Sequence, residues 1–169
     1  MGDRSVSAQN GPIVLATPFG AVAVYWSADG ICRIDLNPLA SVSSVTGTSC
    51  APRFVRSTLD ELDRYFSGMP VEFENVPVDE SSGTAFQRAA WRELRRIPYG
   101  QTRSYCQIAS GIGKPRAVRA VGSALGRNPV PIVIPCHRVI RKDGALGGFG
   151  AGLGWKRKLL SLESSSQPR

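Results

Sequence analysis

Ser104-Tyr105-Cys106-Gln107-Ile108-Ala109-Ser110-Gly111-Ile112-Gly113-Lys114-Pro115-Arg116-Ala117-Val118-Arg119-Ala120-Val121-Gly122-Ser123-Ala124-Leu125-Gly126-Arg127 is the stretch on which the fold turns. Ser104 can cap a short helix that keeps Tyr105, Ile108, Ala109 and Ile112 on one side. Gly111 and Gly113 supply a turn, and Pro115 suits the first position of a further helix running to Gly126. Helix, glycine turn and helix make a helix-turn-helix. On its last helix Val118, Val121 and Leu125 form an inward stripe. Arg116, Arg119, Ala120, Ser123 and Arg127 share the other side. Small side chains allow close backbone approach, so this face can enter a DNA groove with its arginines reaching phosphates or the base stack. An ordinary solvated face would carry Glu and Lys as well.

Working outward, Thr84-x-x-Gln87 has the form of a capping box, and Phe86, Ala90, Leu94 and Ile97 recur at helical spacing. The reading is a helix over 84–97, ended by Pro98-Tyr99-Gly100. On the other flank, Asn128 to Ile140 is an apolar run broken by prolines, expected to be extended. It delivers Cys136 beside His137, the only histidine in the chain. Gly147, Gly148, Gly150, Gly152 and Gly154 then follow within one short segment and would let a loop wrap a flat ligand. No strand precedes them, which excludes a dinucleotide-binding glycine loop. Trp155 to Glu163 reads as a last helix and 164–169 as a frayed tail.

The first half has a different grammar. Three β-prone runs, Gly11 to Thr17, Ala21 to Ser27 and Ile31 to Leu36, are separated by turn-like Pro18-Phe19-Gly20 and Ala28-Asp29-Gly30, which predicts an antiparallel meander. A Ser/Thr/Gly/Pro-rich loop over 37–52 leads to a helix over 54–66 with Val55, Leu59, Leu62 and Phe66 inward. Gly68 stops it. Val71, Phe73, Val76 and Val78 suggest one more strand before the polar linker Asp79-Glu80-Ser81-Ser82-Gly83. The expected fold is therefore an α/β N-terminal domain over 1–80, antiparallel strands plus a helix, and a mainly α C-terminal domain with a helix-turn-helix over 81–169.

Charge follows the same division. The chain of 169 residues carries 21 Lys+Arg and 13 Asp+Glu, a net +8. Residues 1–80 hold 5 basic and 10 acidic side chains, whereas 81–169 hold 16 basic, 12 of them arginine, and 3 acidic. Such asymmetry points to a polyanion meeting the second half, and the arginine bias favours nucleic acid. No apolar stretch approaches the roughly 20 residues that cross a bilayer, and Met1-Gly2-Asp3-Arg4-Ser5 has no signal-peptide pattern. The expectation is a cytoplasmic protein with reduced thiols and no membrane partner. Cys32, Cys50, Cys106 and Cys136 stand singly without a CxxC pair, and with one histidine this argues against a zinc or iron–sulfur site.

Candidate chemistry gathers at Cys136. A buried cysteine is usually inert. Here His137 can take the thiol proton, directly or through a water, and Arg138 with the neighbouring arginines is expected to favour a thiolate. Adjacent residues on an extended segment point to opposite sides, so direct contact between the two is not required by sequence. Cys32, read as a small core residue, and Cys50, read as a loop residue, have no such neighbours.

Pro135-Cys136-His137-Arg138-Val139, preceded by Asn128-Pro129 and by Ile97-Pro98-Tyr99-Gly100-Gln101-Thr102-x-Ser104-Tyr105, resembles the O6-alkylguanine-DNA alkyltransferases over residues 84–163. The order of elements in the first half is similar to that family's ribonuclease-H-like N-terminal domain. The resemblance implies direct repair without cofactor: Cys136 accepts the alkyl group from O6-alkylguanine in double-stranded DNA, irreversibly and once per molecule, with O4-alkylthymine as a secondary substrate. By the same likeness His137 acts as base through a bound water, Glu163 orients His137, and Asn128 fixes the local turn. Arg119 fills the stack vacated by a flipped nucleotide, and Tyr105 pushes at the target phosphate and contacts the base. The pocket walls carried over are Leu125, Val139, Gly147, Phe149 and Gly150, with backbone groups of Val139 and Gly150 reading the guanine. Phe149 and Gly150 stand where some relatives have Tyr and Ser, so two hydroxyls are missing. The zinc site of some relatives is not expected, and the protein is expected to be a monomer, with cooperativity on DNA left open.

Three other readings compete. A lesion binder of the alkyltransferase-like kind would lack the reactive cysteine that Cys136 supplies. A helix-turn-helix regulator with Cys136 as a sensor would want a dimerisation seam or partner domain. A cysteine hydrolase using Cys136, His137 and Glu163 would leave the basic second half unexplained.

Overall fold

The computed structural model describes residues 12–38 and 51–165. Cys50, most of the 37–52 loop and the last four residues lie outside them. The elements run β1 (Ile13–Thr17), β2 (Gly20–Trp26), β3 (Ile31–Asp35), α1 (Arg53–Phe66), α2 (Ala85–Leu94), β4 (Arg103–Ser104), α3 (Tyr105–Gly111), α4 (Val118–Gly126), β5 (Val139–Ile140) and α5 (Leu153–Ser165). An antiparallel α/β unit followed by a mainly helical one is the expected fold class.

The meander forms as read, in the order β1-β2-β3, with Val22 and Val24 fully buried beneath α1 and a register shift at Tyr25/Trp26. Helix α1 buries Val55, Thr58, Leu59, Leu62, Tyr65 and Phe66, so Tyr65 and Thr58 join the stripe that sequence assigned to four apolar residues. The strand expected over 71–78 does not form. Phe73 sits at φ 55°, outside the extended region, and only Val78 bridges to Ile31. The carbonyls of Phe73, Glu74 and Val76, which a neighbouring strand would have satisfied, accept instead from the Arg95 guanidinium at 2.9, 3.1 and 3.0 Å. Val71, Phe73 and Val76 are buried all the same.

The expected capping box at Thr84 is present, and the Ser104 cap proves to be a second one. Thr84 and Gln87 bond reciprocally at the start of α2, and Ser104 and Gln107 do so at α3. Helix α2 ends at Leu94, three residues short of the expected end, although Ile97 is still buried. Helix α4 begins at Val118 rather than Pro115, which leaves Arg116 in the turn before it. Its inward side is Val121, Ala124 and Leu125, and Val118 is half-buried. Helix α5 starts at Leu153 and continues through Ser165, so Ser164 and Ser165 are helical rather than tail.

The run from Asn128 to Ile140 is not extended. Ile134 N–H donates to Val130 O, Cys136 N–H to Ile134 O, and Cys136–Arg138 form a single 3-10 turn before β5. Pro135, at φ −80° and ψ 61°, is the centre of an inverse γ-turn. Ile132 has φ 76°, a strained value for a β-branched residue. The turn is closed by a side chain: Asn128 Nδ2 donates to Ile134 O at 2.8 Å, and its Oδ1 accepts from Val130 N–H at 3.0 Å. Parallel pairing of β5 with β4 ties this turn to the start of the helix-turn-helix.

One continuous set of buried apolar residues spans both halves, from Val22 and Tyr65 to Trp91 and Leu159. Ile34 N–H donates to Pro129 O, and Asn37 links to Ala151 O and the Trp155 indole. The cysteine turn is thus held against β3 on one side and α5 on the other.

Candidate active site

Cys136 Sγ borders two cavities. One, of about 540 Å³, is lined by Tyr105, Gly122, Leu125, Arg141, Gly147, Gly148, Phe149 and Gly150. The other, of about 420 Å³, lies between the halves, with β3 residues Cys32 to Asp35 facing Asn128, Pro131, Phe149 and Gly150. Cys32 is therefore half-buried on a cavity wall, not a core residue. Four of the five expected pocket residues, Leu125, Gly147, Phe149 and Gly150, line the first cavity. Val139 is fully buried behind the cysteine turn. Gly147 is required by shape: at φ 67°, a Cβ there would stand 2.7 Å from Tyr105 Oη.

Burial pushes the Cys136 thiol up to about 11, against the opposing pull of the Asn128 amide and the Lys156 charge. Asn128 Nδ2 donates to Sγ at 3.0 Å. The thiol is protonated at rest, which corrects the expected thiolate. Arg138 does not face the sulfur. Its guanidinium is buried and donates through Nε to both oxygens of Glu163, at 3.2 and 2.9 Å, and through Nη1 to Ile97 O at 2.6 Å. The cation near the thiol is Lys156, fully buried on α5. Its Nζ donates to Val139 O at 2.6 Å, to Leu146 O, and to Gly148 O at 3.4 Å, so one ammonium ties the cysteine turn to the glycine loop.

His137 is fully buried, and Nε2 donates to Glu163 Oε1 at 2.7 Å. That bond fixes the tautomer and leaves Nδ1, which bonds to no group among the described residues, as the basic nitrogen. Burial lowers the His137 pKa against the pull of Glu163, so the ring is neutral near pH 7. Burial alone would raise Glu163, but the bond from His137 and the Arg138 contact outweigh it and hold the carboxyl at about 2. A protonated thiol, a neutral base with one nitrogen free and a carboxylate ionised throughout the neutral range together can deprotonate a nucleophile on demand.

The outward residues of the helix-turn-helix, Arg116, Arg119, Ala120, Ser123 and Arg127, are all exposed. Tyr105 opens α3 and is half-buried, and burial together with the thiol raises its phenol pKa. Sequence reasoning missed Lys156, the capture of Arg138 by Glu163, and Tyr65, whose Oη donates to Glu163 Oε1 at 2.8 Å. The signal for Lys156 was available: it shares a stripe with Trp155, Leu159 and Glu163, where a lone cation calls for a buried acceptor. Among the described residues no cluster of three or more His, Cys, Asp or Glu could hold a metal ion, and no helix is long and apolar enough to cross a membrane.

Comparison with known proteins places two family descriptions on the chain. Residues 13–80 match "6-O-methylguanine DNA methyltransferase, ribonuclease-like domain", and residues 85–165 match "6-O-methylguanine DNA methyltransferase, DNA binding domain". A methylated-DNA–protein-cysteine methyltransferase from Methanosarcina barkeri is 40% identical over 154 residues, 90% of this chain and 96% of that one. One from Mycolicibacterium paratuberculosis is 49% identical over 125 residues, 74% of each chain. Among solved structures, Mycobacterium tuberculosis OGT in complex with DNA is similar with a TM-score of 0.76 and 39% identity, covering 93% of this chain and 94% of the other.

Proposed function

The chain belongs to the 6-O-methylguanine DNA methyltransferase family, and from that premise we propose that it repairs DNA by moving the alkyl group from O6 of a damaged guanine onto Sγ of Cys136. The observation that carries this reading is the Cys136 thiol bordering a cavity with ample room for a base, with a neutral histidine fixed by an ionised carboxylate next in sequence. The thiol proton passes to His137, through a bridging water; the thiolate attacks the alkyl carbon, an S–C bond forms and the C–O6 bond breaks. The electron pair stays with guanine, which regains its carbonyl and takes on N1 the proton that left the thiol, returned from His137 through water. The S–C bond has no route to hydrolysis, so each molecule acts once and needs no cofactor.

Attack on the alkyl carbon in line with its bond to O6 cannot occur inside a stacked duplex, so the nucleotide is flipped out, at an unstacking cost of a few kcal/mol that is least for a poorly paired lesion. Arg119, exposed on α4 among Ala120 and Ser123, fills the vacated stack, while Arg116 and Arg127 contact phosphates. Tyr105 meets the base and its phosphate at the cavity mouth. Asn128 holds the turn and the sulfur together. Leu125, Gly147, Phe149 and Gly150 wall the base, while Val139 lies behind the cysteine turn with its carbonyl held by Lys156. O4-alkylthymine, with the same carbon–oxygen–alkyl linkage, is the secondary substrate. Residues 81–169 carry both DNA contact and alkyl acceptor, and residues 1–80 support them.

Duplex DNA with one O6-methylguanine, incubated with excess protein and digested to nucleosides, tests the reading. The expected result is loss of O6-methyldeoxyguanosine from the digest, and no loss with Cys136→Ser, which still binds the duplex. Loss of the lesion with Cys136→Ser would sink the assignment.

A further inference from the structure

Glu163 receives a donor from the other half of the molecule. Tyr65, on α1 and fully buried, donates from Oη to Glu163 Oε1 at 2.8 Å, and Oη itself lies 3.4 Å from His137 Nε2. The ring is gripped by Phe66, Phe73 and Tyr99 at centroid distances of 5.5, 5.6 and 5.9 Å, so the hydroxyl has little freedom to turn away. Burial and the Glu163 charge push the phenol well above its ordinary range, which keeps it a donor. Oε1 thus serves Tyr65, His137 and Arg138 at once, while Oε2 serves Arg138 and the Gly100 N–H at 3.0 Å.

We propose that Tyr65 is a positioning residue of the N-terminal half that sets the basicity of His137 through Glu163, an inference that rests on the alkyl-transfer reading above. A carboxylate oxygen that shares its charge with a phenol pulls less strongly on the imidazole. A stronger pull would favour imidazolium at rest, and a histidine already protonated cannot take the proton of Cys136. Tyr65 therefore keeps the base neutral, yet leaves Glu163 able to orient it. The charged and titratable groups around His137 are Glu163 and Lys156 from α5, Cys136 and Arg138 beside it, and Tyr65 from α1, with Glu72 3.7 Å from Arg138 and Tyr99 stacked beneath its guanidinium. Replacing Tyr65 by Phe alters only the hydroxyl.

Because His137 is the only histidine, the test is direct. The full-length protein, labelled with ¹⁵N-histidine, is titrated by NMR, and single-turnover transfer from an O6-methylguanine duplex is followed against pH. Tyr65→Phe is expected to move the His137 midpoint and the acid limb of the rate together, upward by about half a pH unit, with DNA affinity unchanged. Placing 2,3-difluorotyrosine at position 65, a stronger donor of the same shape, is expected to move both downward. Titrations that coincide with the parent protein, or shifts of the opposite sign, overturn the proposal. A parent protein that transfers no methyl group would defeat the functional reading instead, and the NMR titration would still decide the role of Tyr65.

Discussion

A thiol held near 11 must lose its proton during the reaction, and the residues touching it determine how costly that is. Among the described residues Asn128 is the one side chain that donates to Sγ, and the same amide closes the turn through Ile134 O. A hydrogen bond to an ionised group is worth roughly 1.5–3 kcal/mol, so Asn128→Ala is expected to slow single-turnover transfer by about 10-fold or more and to raise the thiol pKa. Stopped transfer at a series of pH values measures both. An unaltered rate would mean that Asn128 serves the backbone alone. The sequence pointed to Asn128 through the family resemblance, and to Cys136 and His137 because they are neighbours along the chain. It misassigned Arg138 for the same reason: proximity in sequence put its charge near the sulfur, whereas a partner 25 residues away captured it.

Elements were legible where their determinants are local. The caps at Thr84 and Ser104 need only a hydroxyl and a glutamine three residues on, and both form. Strands β1 to β3 follow alternation between turn residues. The failures share a cause, since each depends on a side chain reaching a backbone that no local pattern anticipates. Arg95 takes up the carbonyls of 73–76 from about twenty residues away, and the Asn128 amide folds an apolar proline-rich run into a turn. At this scale α4 carries the expectation most open to test. Its exposed face sets Arg119 among small residues, and if that side chain holds the vacated stack, Arg119→Ala should slow repair in duplex DNA by on the order of 100-fold. Reaction with free O6-benzylguanine, which needs no flipping, should change little. Equal losses on the two substrates, compared in parallel rate measurements, would assign Arg119 to the pocket rather than to the duplex.

The whole molecule joins an acidic half and a basic half through one core, and the Glu163 cluster lies where they meet, bonded to Tyr65 of α1, to the Gly100 N–H and to the residues beside Cys136. Its titration therefore bears on global stability. Glu163 is held at about 2 when folded against an ordinary 4.5. A depressed carboxyl contributes stability that is present above the ordinary value and lost as pH falls toward the folded one, here about 3 kcal/mol between pH 4.5 and 2. His137, also depressed, adds a loss with the same sign that begins below about 6.5. Urea unfolding at stepped pH should show stability declining from pH 6.5 downward and steepening below 4.5, with the lower step missing in Glu163→Gln. The central claim remains the destination of the alkyl group, and peptide mass spectrometry after incubation with a duplex bearing a single O6-methylguanine addresses it most directly. The account predicts one methyl group on the Cys136 peptide, never more than one per protein molecule, with guanine restored in equal amount; tight binding with no gain in mass, or repair of more lesions than there are protein molecules, would contradict it.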